Sequence, residues 1–136
     1  MYKSVKYLTK IENNMFSTYY FYEPLDQTIL SIDTTPINPE MATNIERVII
    51  ALNSNIFGIK ISLCEGDKYY TYLSIAKQKE IVDVLVEPSI ACELAKTGDI
   101  LICVEEHILK NEGIKVTKKL IEEALTGEFI SHQSFR

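Results

Sequence analysis

The sequence predicts an α+β fold with a mostly antiparallel sheet, which could close into a barrel-like form, and about three helices. Segments in which apolar and polar residues alternate outnumber segments with helical periodicity. Most predicted strands follow one another through short turns, as hairpins do, which argues against a doubly wound parallel sheet. The chain has 136 residues, of which 46% are hydrophobic. This length fits a single domain over residues 1–136.

The first third of the chain predicts three strands. They cover residues 2–10, 15–23 and 27–33, and Pro24 and Asp26 supply the turn before the third. The second strand is rich in aromatic residues, which favour strands, and its side chains alternate between two faces. One face carries Phe16, Thr18, Tyr20 and Tyr22, and the other carries Ser17, Tyr19 and Phe21.

A helix and a hairpin follow these strands. Asn38 is a favourable N-cap and Pro39 suits the first helical position, so we expect a helix to begin there. The apolar residues that recur at helical spacing in it are Met41, Ile45, Val48, Ile49 and Leu52. Residues 56–64 and 68–75 give the strongest hairpin signal in the chain, with a compact turn at 65–67.

Residues 77–86 are ambiguous between helix and strand. The sequence AKQKE favours a helix, whereas the β-branched residues of IVDVLV favour a strand, which we expect over about 80–86. Pro88 begins a short helix that Gly98 ends. Residues 99–107 (DILICVEEH) then predict another strand.

The C-terminal part predicts a turn at 111–113, and residues 113–116 could pair back. Thr117 is expected to cap a last helix that ends at Gly127, and the tail after it is either a strand or frayed. The predicted order of elements is therefore β-β-β-α-β-β-β-α-β-α-β.

The charge of the chain argues against nucleic-acid binding. Lys and Arg number 14 against 19 acidic residues, so the net charge is −5, whereas proteins that bind nucleic acids neutralise phosphates with many basic side chains. Only Arg47 and Arg136 are arginines, although arginine is the preferred side chain for guanine edges and phosphates.

The cysteines and the N-terminus predict a cytoplasmic protein. Cys64, Cys92 and Cys103 are an odd number without CxxC spacing, which predicts buried free thiols rather than disulfides or a zinc site. The N-terminus lacks the apolar segment of a signal peptide, and no stretch is long enough to span a membrane. We expect no metal, no cofactor and no membrane partner.

Cys103, Glu105 and His107 are the candidate catalytic or metal-binding residues. They lie two apart on the predicted strand 99–107 and would share one face. A thiolate, a carboxylate and an imidazole could bind a metal or form a Cys–His pair. The alternative is a half-exposed strand face without chemistry, and we favour it because a straight strand spaces such groups by roughly 7 Å.

Lysines around the predicted last helix form the only basic segment. Lys115, Lys118 and Lys119 could hold an anion at the start of that helix, although solvated lysines that balance nearby glutamates are the simpler interpretation. The chain contains no glycine-rich phosphate loop. A site formed by His107 and His132 would require the tail to fold back, and whether they meet stays open.

Tyrosine is distributed unevenly. All eight tyrosines lie within the first 72 residues. Tyrosine hydroxyls need partners, and tyrosines are enriched where a protein binds another protein or a planar ligand. The alternative is an amphipathic sheet face with hydroxyls at its rim. The candidate binding residues are Tyr20, Tyr22, Tyr69, Tyr70 and Tyr72.

These observations predict a non-catalytic interaction protein. A small acidic α+β domain could self-associate, as a homo-oligomer, or inhibit or sequester a partner, as immunity-type proteins and phage anti-defence proteins of this size and charge do. One alternative is a protein that binds or sequesters an anionic or nucleotide-like small molecule. Another is a small hydrolase that depends on a metal or on a Cys/His pair.

Overall fold

The computed structural model of the chain describes residues 1–66, 68–97 and 99–117, and within them it contains eight strands and three helices. In chain order they are β1 (Tyr2–Glu12), β2 (Ser17–Glu23), β3 (Thr28–Thr34), α1 (Pro39–Ala51), β4 (Asn55–Glu65), β5 (Lys68–Lys77), β6 (Glu80–Val86), α2 (Pro88–Ala95), β7 (Leu101–Glu105), α3 (Glu106–Glu112) and β8 (Ile114–Lys115).

The eight strands form one mixed, mostly antiparallel sheet, which confirms the predicted α+β fold. The strand order is β6-β5-β4-β7-β1-β2-β3-β8. Six neighbouring pairs are antiparallel, and β4 and β7 are parallel. Among the described strands the sheet is open, with β6 and β8 at its two ends, rather than closed into the barrel-like form that the sequence left as an alternative.

Local sequence accounts for most of the element boundaries. The side chain of Asn38 accepts a hydrogen bond of 3.0 Å from the backbone N–H of Glu40, which caps α1 as predicted. Asn53, with φ of 58°, ends the helix in the left-handed conformation that asparagine tolerates. In the ambiguous segment 77–86, Gln78 also has a positive φ, of 56°, and lies in the turn after β5. Strand β6 then begins at Glu80, as predicted.

The prediction of a strand over 99–107 is wrong at its end. The N–H of Glu106 donates a 2.8 Å hydrogen bond to the carbonyl of Met1, and α3 begins there. Ile108 and Leu109 are neighbours and both are buried, which suits a helix because a strand would turn one of them outwards.

The C-terminal predictions are only partly covered by the structure. The predicted turn at 111–113 is the last turn of α3 and the glycine after it. Residues 114–115 form β8, which pairs with Thr28 and Ile29 of β3. The predicted helix after Thr117, Gly98 and the side chain of Cys64 lie outside the described residues.

The two faces of the sheet differ in burial. The inner face, which α1 and α2 cover, carries the core of the molecule. The alternation predicted for β2 is confirmed, since Tyr19 and Phe21 are fully buried and Tyr20 and Tyr22 are half-buried on the opposite, outer face. The buried inner-face residues of the strands are Val5, Tyr19, Phe21, Leu30, Ile32, Ile59, Ile61, Leu73, Ile102 and Val104.

Helix α1 is rotated relative to its apolar periodicity. Ala42 and Ile49 are buried and Ile45 packs against the core, whereas Met41 and Val48 are exposed, as is Leu52, which follows the helix. The stripe of large apolar residues therefore lies partly towards solvent, and the smaller Ala42 contacts the core instead.

Glu93 of α2 ties the helix to the strands on the far side of the core. Its carboxylate accepts hydrogen bonds from the Tyr19 hydroxyl, from Lys10 Nζ at 2.7 Å and from Lys96 Nζ at 3.2 Å. Burial alone would raise the pKa of Glu93, but these hydrogen bonds outweigh it and hold the pKa below its usual value. A buried carboxylate with three donors stabilises the fold rather than presenting a free group.

Candidate functional site

The structure separates His107 from the row in which it was predicted. Cys103 and Glu105 lie on β7 and share the outer face, but His107 lies on α3. Glu105 accepts a hydrogen bond from Ser62 and lies 3.0 Å, Oε2 to Nδ1, from His107. The carboxylate therefore stands between the hydroxyl and the imidazole, whereas a nucleophile–base pair requires direct contact between those two groups.

The two thiols with described side chains are not activated. Burial raises the pKa of the half-buried Cys103 and, more strongly, that of the fully buried Cys92. Thiols with raised pKa values stay protonated at neutral pH and are poor nucleophiles and poor metal ligands. Within residues 1–66, 68–97 and 99–117, no group of three His, Cys, Asp or Glu side chains is placed to hold a metal ion.

The candidate tyrosines do not converge on one site. Tyr70 and Tyr72 of β5 and Tyr20 and Tyr22 of β2 lie on the outer face, whereas Tyr69 packs against the core. Strands β4, β7 and β1 separate the two pairs. At the usual strand spacing of about 4.8 Å they are roughly 19 Å apart along the sheet.

The candidate basic residues lie mostly beyond the described chain. Lys115 is exposed on β8, at the end of the sheet opposite to β5 and β6. Lys118, Lys119 and His132 lie outside the described residues. The role predicted for this segment therefore stays a prediction.

Strand β6 is the most exposed apolar segment of the sheet. It pairs with β5 along all seven of its residues and, within the described part of the chain, with no strand on its other side. Ile81, Val82, Val84 and Leu85 are 57%, 53%, 41% and 59% exposed. The outward N–H and C=O groups of β6 are therefore available to another strand.

Both faces of β6 are apolar. Val82 and Val84 lie opposite Ile75 and Leu73 and so share the inner face, whereas Ile81 and Leu85 lie on the outer face. A strand with one face in water normally carries polar side chains on that face. Its exposure on both sides distinguishes β6 from an ordinary solvent-facing strand.

Asp83 carries the only charge between residues 81 and 86, and this charge is neutralised. Its carboxylate accepts hydrogen bonds from Ser74 Oγ at 2.7 Å and from Lys60 Nζ at 2.9 Å. These two hydrogen bonds hold the pKa of Asp83 below its usual value. A further strand beside β6 would therefore meet an ion pair rather than an isolated carboxylate.

Sequence reasoning identified the strand β6 but missed its importance. A run such as IVDVLV is typical of a strand buried between two others. The one available signal was the combination of this run with Asp83 and with the charged residues just before it, Lys77, Lys79 and Glu80. Charged residues of this kind also mark many edge strands.

A cavity of about 420 Å³ lies between the end of β3 and the starts of β5 and α2. Its lining includes Asp33, Lys68, Tyr69, Tyr70 and Glu87. An adjoining cavity of about 450 Å³ shares the two tyrosines and extends to Leu85 and Val86 of β6. The cavities thus connect the predicted Tyr69 and Tyr70 with one end of the exposed strand.

No protein-family model matches the chain, and no curated protein matches it. Among the described helices, none combines the length and the apolar character needed to cross a bilayer. The geometry of the surface is therefore the basis for the functional proposal.

Proposed function

We propose that the protein is a non-catalytic interaction protein and that β6 is the surface through which it binds other protein chains. The observation that carries this proposal is the exposed seven-residue strand at the end of the sheet, of which five residues are apolar. Addition of a strand satisfies the outward backbone groups and buries apolar side chains on both faces at once. Self-association and the inhibition or sequestration of a different protein are two outcomes of the same binding mode.

The state of the candidate catalytic residues supports a non-catalytic role. The raised pKa of Cys103 opposes thiolate chemistry, and Glu105 is already engaged by Ser62 and His107. These contacts tie β4, β7 and α3 together, which is a structural role. A hydrolase that uses a Cys/His pair would instead need a free nucleophile beside a base.

The proposal is tested with a matched pair of valine substitutions. Val82→Lys places a charge on β6, where Val82 is 53% exposed, and Val48→Lys makes the same change on α1, where Val48 is 59% exposed. A lysine on an edge strand opposes pairing with a further strand. Native mass spectrometry and sedimentation velocity then report the mass of the gently purified wild type and of each variant.

We expect the wild type to be heavier than its own 15.5 kDa, Val82→Lys to return to that mass, and Val48→Lys to resemble the wild type. A complex that Val82→Lys leaves intact would contradict the proposal, and a wild type at the mass of one chain would exclude self-association. Circular dichroism of all three proteins confirms that the comparison concerns folded chains.

A second candidate function is the binding of an anionic or nucleotide-like small molecule. The cavity of about 420 Å³ favours it, because it combines Tyr69 and Tyr70 with the ammonium group of Lys68 and has a volume typical of ligand sites. Asp33 and Glu87 in the same lining oppose an anion, which makes this the weaker candidate.

Native mass spectrometry and thermal unfolding distinguish small-molecule binding from the binding of a protein chain. It predicts that native mass spectrometry finds a retained ligand, or that a nucleotide or metabolite raises the Tm. Lys68→Ala should abolish that effect, and Lys77→Ala, at the other end of β5, should not. Bare chain masses together with an unchanged Tm across a nucleotide and metabolite panel would remove the candidate.

A further inference from the structure

We infer that the strand which pairs with β6 is β6 of a second copy of this chain, antiparallel to it and related by a two-fold axis that passes through Asp83. This inference rests on the proposed function, because it names the partner of the same edge. The strand β6 is self-complementary in sequence, and its complementarity selects one register.

Symmetry limits the registers that are possible. A two-fold axis that relates two antiparallel edge strands is perpendicular to the sheet, so the inner face of one copy continues as the inner face of the other. Residues that face each other across an antiparallel pair also share a face. An axis between two neighbouring residues would set inner-face residues opposite outer-face residues, so the axis must pass through a residue. The positions near the middle of β6 that meet this condition are Val82, Asp83 and Val84.

A register centred on Asp83 matches apolar residues on both faces. On the outer face Ile81 lies opposite Leu85 of the second copy, and on the inner face Val82 lies opposite Val84 of the second copy. Each contact occurs twice because of the symmetry. All four of these side chains are exposed in the single chain, so pairing removes apolar surface from water on both sides of the sheet.

The same register brings opposite charges together at both ends of the strand. Lys79, just before β6, lies opposite Glu87 of the second copy, just after it. Neither residue takes part in an ion pair among the described contacts, so both are available. Ion pairs at the rim of an interface contribute more to register and specificity than to affinity.

Asp83 lies opposite its own copy in this register, which would be unfavourable for two bare carboxylates. Each carboxylate is already held by Lys60 and Ser74 of its own chain, so the axis passes between two ion pairs. The Lys60 ammonium also lies 5.8 Å from the centre of the Tyr2 ring, which helps to keep the cation at this position.

The two competing registers place Asp83, at the centre of the strand, against an aliphatic side chain, whereas the Asp83-centred register sets only the terminal Glu80 opposite Val86. An axis through Val84 sets Asp83 opposite Leu85 of the second copy, and an axis through Val82 sets Asp83 opposite Ile81 of the second copy. In both of these registers Ile81 no longer faces Leu85 of the second copy, and this contact is lost on both sides of the two-fold axis. The hydrophobic pattern thus selects the Asp83-centred register, as it does in sheets generally.

The experiment is disulfide formation between single-cysteine additions in the full chain. Ile81→Cys and Leu85→Cys proteins are oxidised separately and as an equimolar mixture, and cross-linked dimers are counted on non-reducing gels. Facing residues in an antiparallel pair are close enough for a disulfide. The wild type, with its three natural cysteines, and Val82→Cys alone, which faces its own copy only in the Val82-centred register, serve as controls.

We expect cross-linked dimers only in the mixture of Ile81→Cys with Leu85→Cys. Random exchange of chains makes about half of the dimers mixed, so up to about half of the chains should be cross-linked. Cross-linking of Ile81→Cys with itself, or of Val82→Cys with itself, overturns the register. If Val82→Lys abolishes a complex whose mass is not a multiple of the chain mass, the partner is not a second copy. The proposed function is then left intact. A wild type at the mass of one chain overturns the second copy as the partner.

Discussion

The two ends of the sheet are built from similar sequences but reach opposite states. Near one end, β3 (TILSIDT) has four buried residues of seven, whereas at the other end β6 (EIVDVLV) has none. Each strand carries several aliphatic residues and a single aspartate. The elements packed beside a strand, rather than its composition, therefore decide whether its side chains are buried in the core or exposed at the end of the sheet.

The β3 end is closed by a short segment that follows α3. Strand β8 pairs with Thr28 and Ile29, and the N–H of Val116 donates a 2.7 Å hydrogen bond to the carbonyl of Gln27. Gly113 makes this approach possible, because a Cβ there would lie 2.3 Å from Thr28 Cγ2 and 2.4 Å from the carbonyl oxygen of Leu109. Within the described residues, β6 has no corresponding cover.

The largest expected effect comes from truncating one aliphatic side chain at each end. Leu30→Ala in β3 removes a fully buried side chain and should lower the free energy of unfolding by about 2–5 kcal/mol. Val84→Ala in β6 should lower it by less, by about 1 kcal/mol, because the side chain is 41% exposed. Urea unfolding at a protein concentration low enough for dissociation measures both, and equal losses would refute the contrast.

The next effect concerns Glu93, which connects the β5 side of the core with β1 and β2. Glu93→Gln should cost about 1–3 kcal/mol at pH 7, because Lys10 loses a buried charged partner. The pKa of Glu93 is lower in the folded than in the unfolded chain. The ionised carboxylate therefore contributes to the free energy of unfolding at pH values above the unfolded pKa of about 4.3. This contribution is lost as the pH falls through the lower pKa of the folded chain.

Urea unfolding between pH 7 and pH 3 tests this expectation. The difference between the wild type and Glu93→Gln should shrink as the solution becomes acidic, whereas Glu46→Gln on α1, which has no described ion pair, should change little at any pH. A difference that stays constant to pH 3 would argue that packing, and not charge, is responsible.

The smallest expected effect on stability comes from Lys60. The Lys60–Asp83 pair is partly exposed, so Lys60→Gln should change the free energy of unfolding by less than about 1 kcal/mol. It should nevertheless weaken self-association, because Asp83 would then face its copy without a cation. Lys6→Gln, on the same outer face but outside any described ion pair, is the matched control in sedimentation equilibrium.

Much of the fold was predictable because it is local. Alternation and turn residues located β2, β4 and β5, and the Asn38–Pro39 pair located the start of α1. Helix α3 was not predictable in this way, since it has no side-chain cap and follows an alternating strand without a turn. The contact that ends β7 there, from Glu106 to Met1, joins residues more than a hundred positions apart.

The candidate surface was harder to predict than the strand that forms it. Local sequence shows that 80–86 favours a strand, but only the order of strands shows that β6 stands at the end of the sheet. The tyrosine pattern was similarly incomplete, because alternation placed Tyr20 and Tyr22 on one face but could not bring them beside Tyr70 and Tyr72. The separation arises from β4, β7 and β1, whose adjacency is non-local.

Strand β7 has a consequence for how the chain acquires its structure during synthesis. The meanders β1–β2–β3 and β4–β5–β6 each form from contiguous sequence, and in the described chain their strands are joined into one sheet only where the five residues of β7 pair with β1 and β4. A ribosome that synthesises the chain from its N-terminus releases both meanders before β7 exists. Until then β1 and β4 are additional open edges, so the nascent chain carries more exposed strand than the finished protein, and only the long-range pairing of β7 with both strands removes these edges.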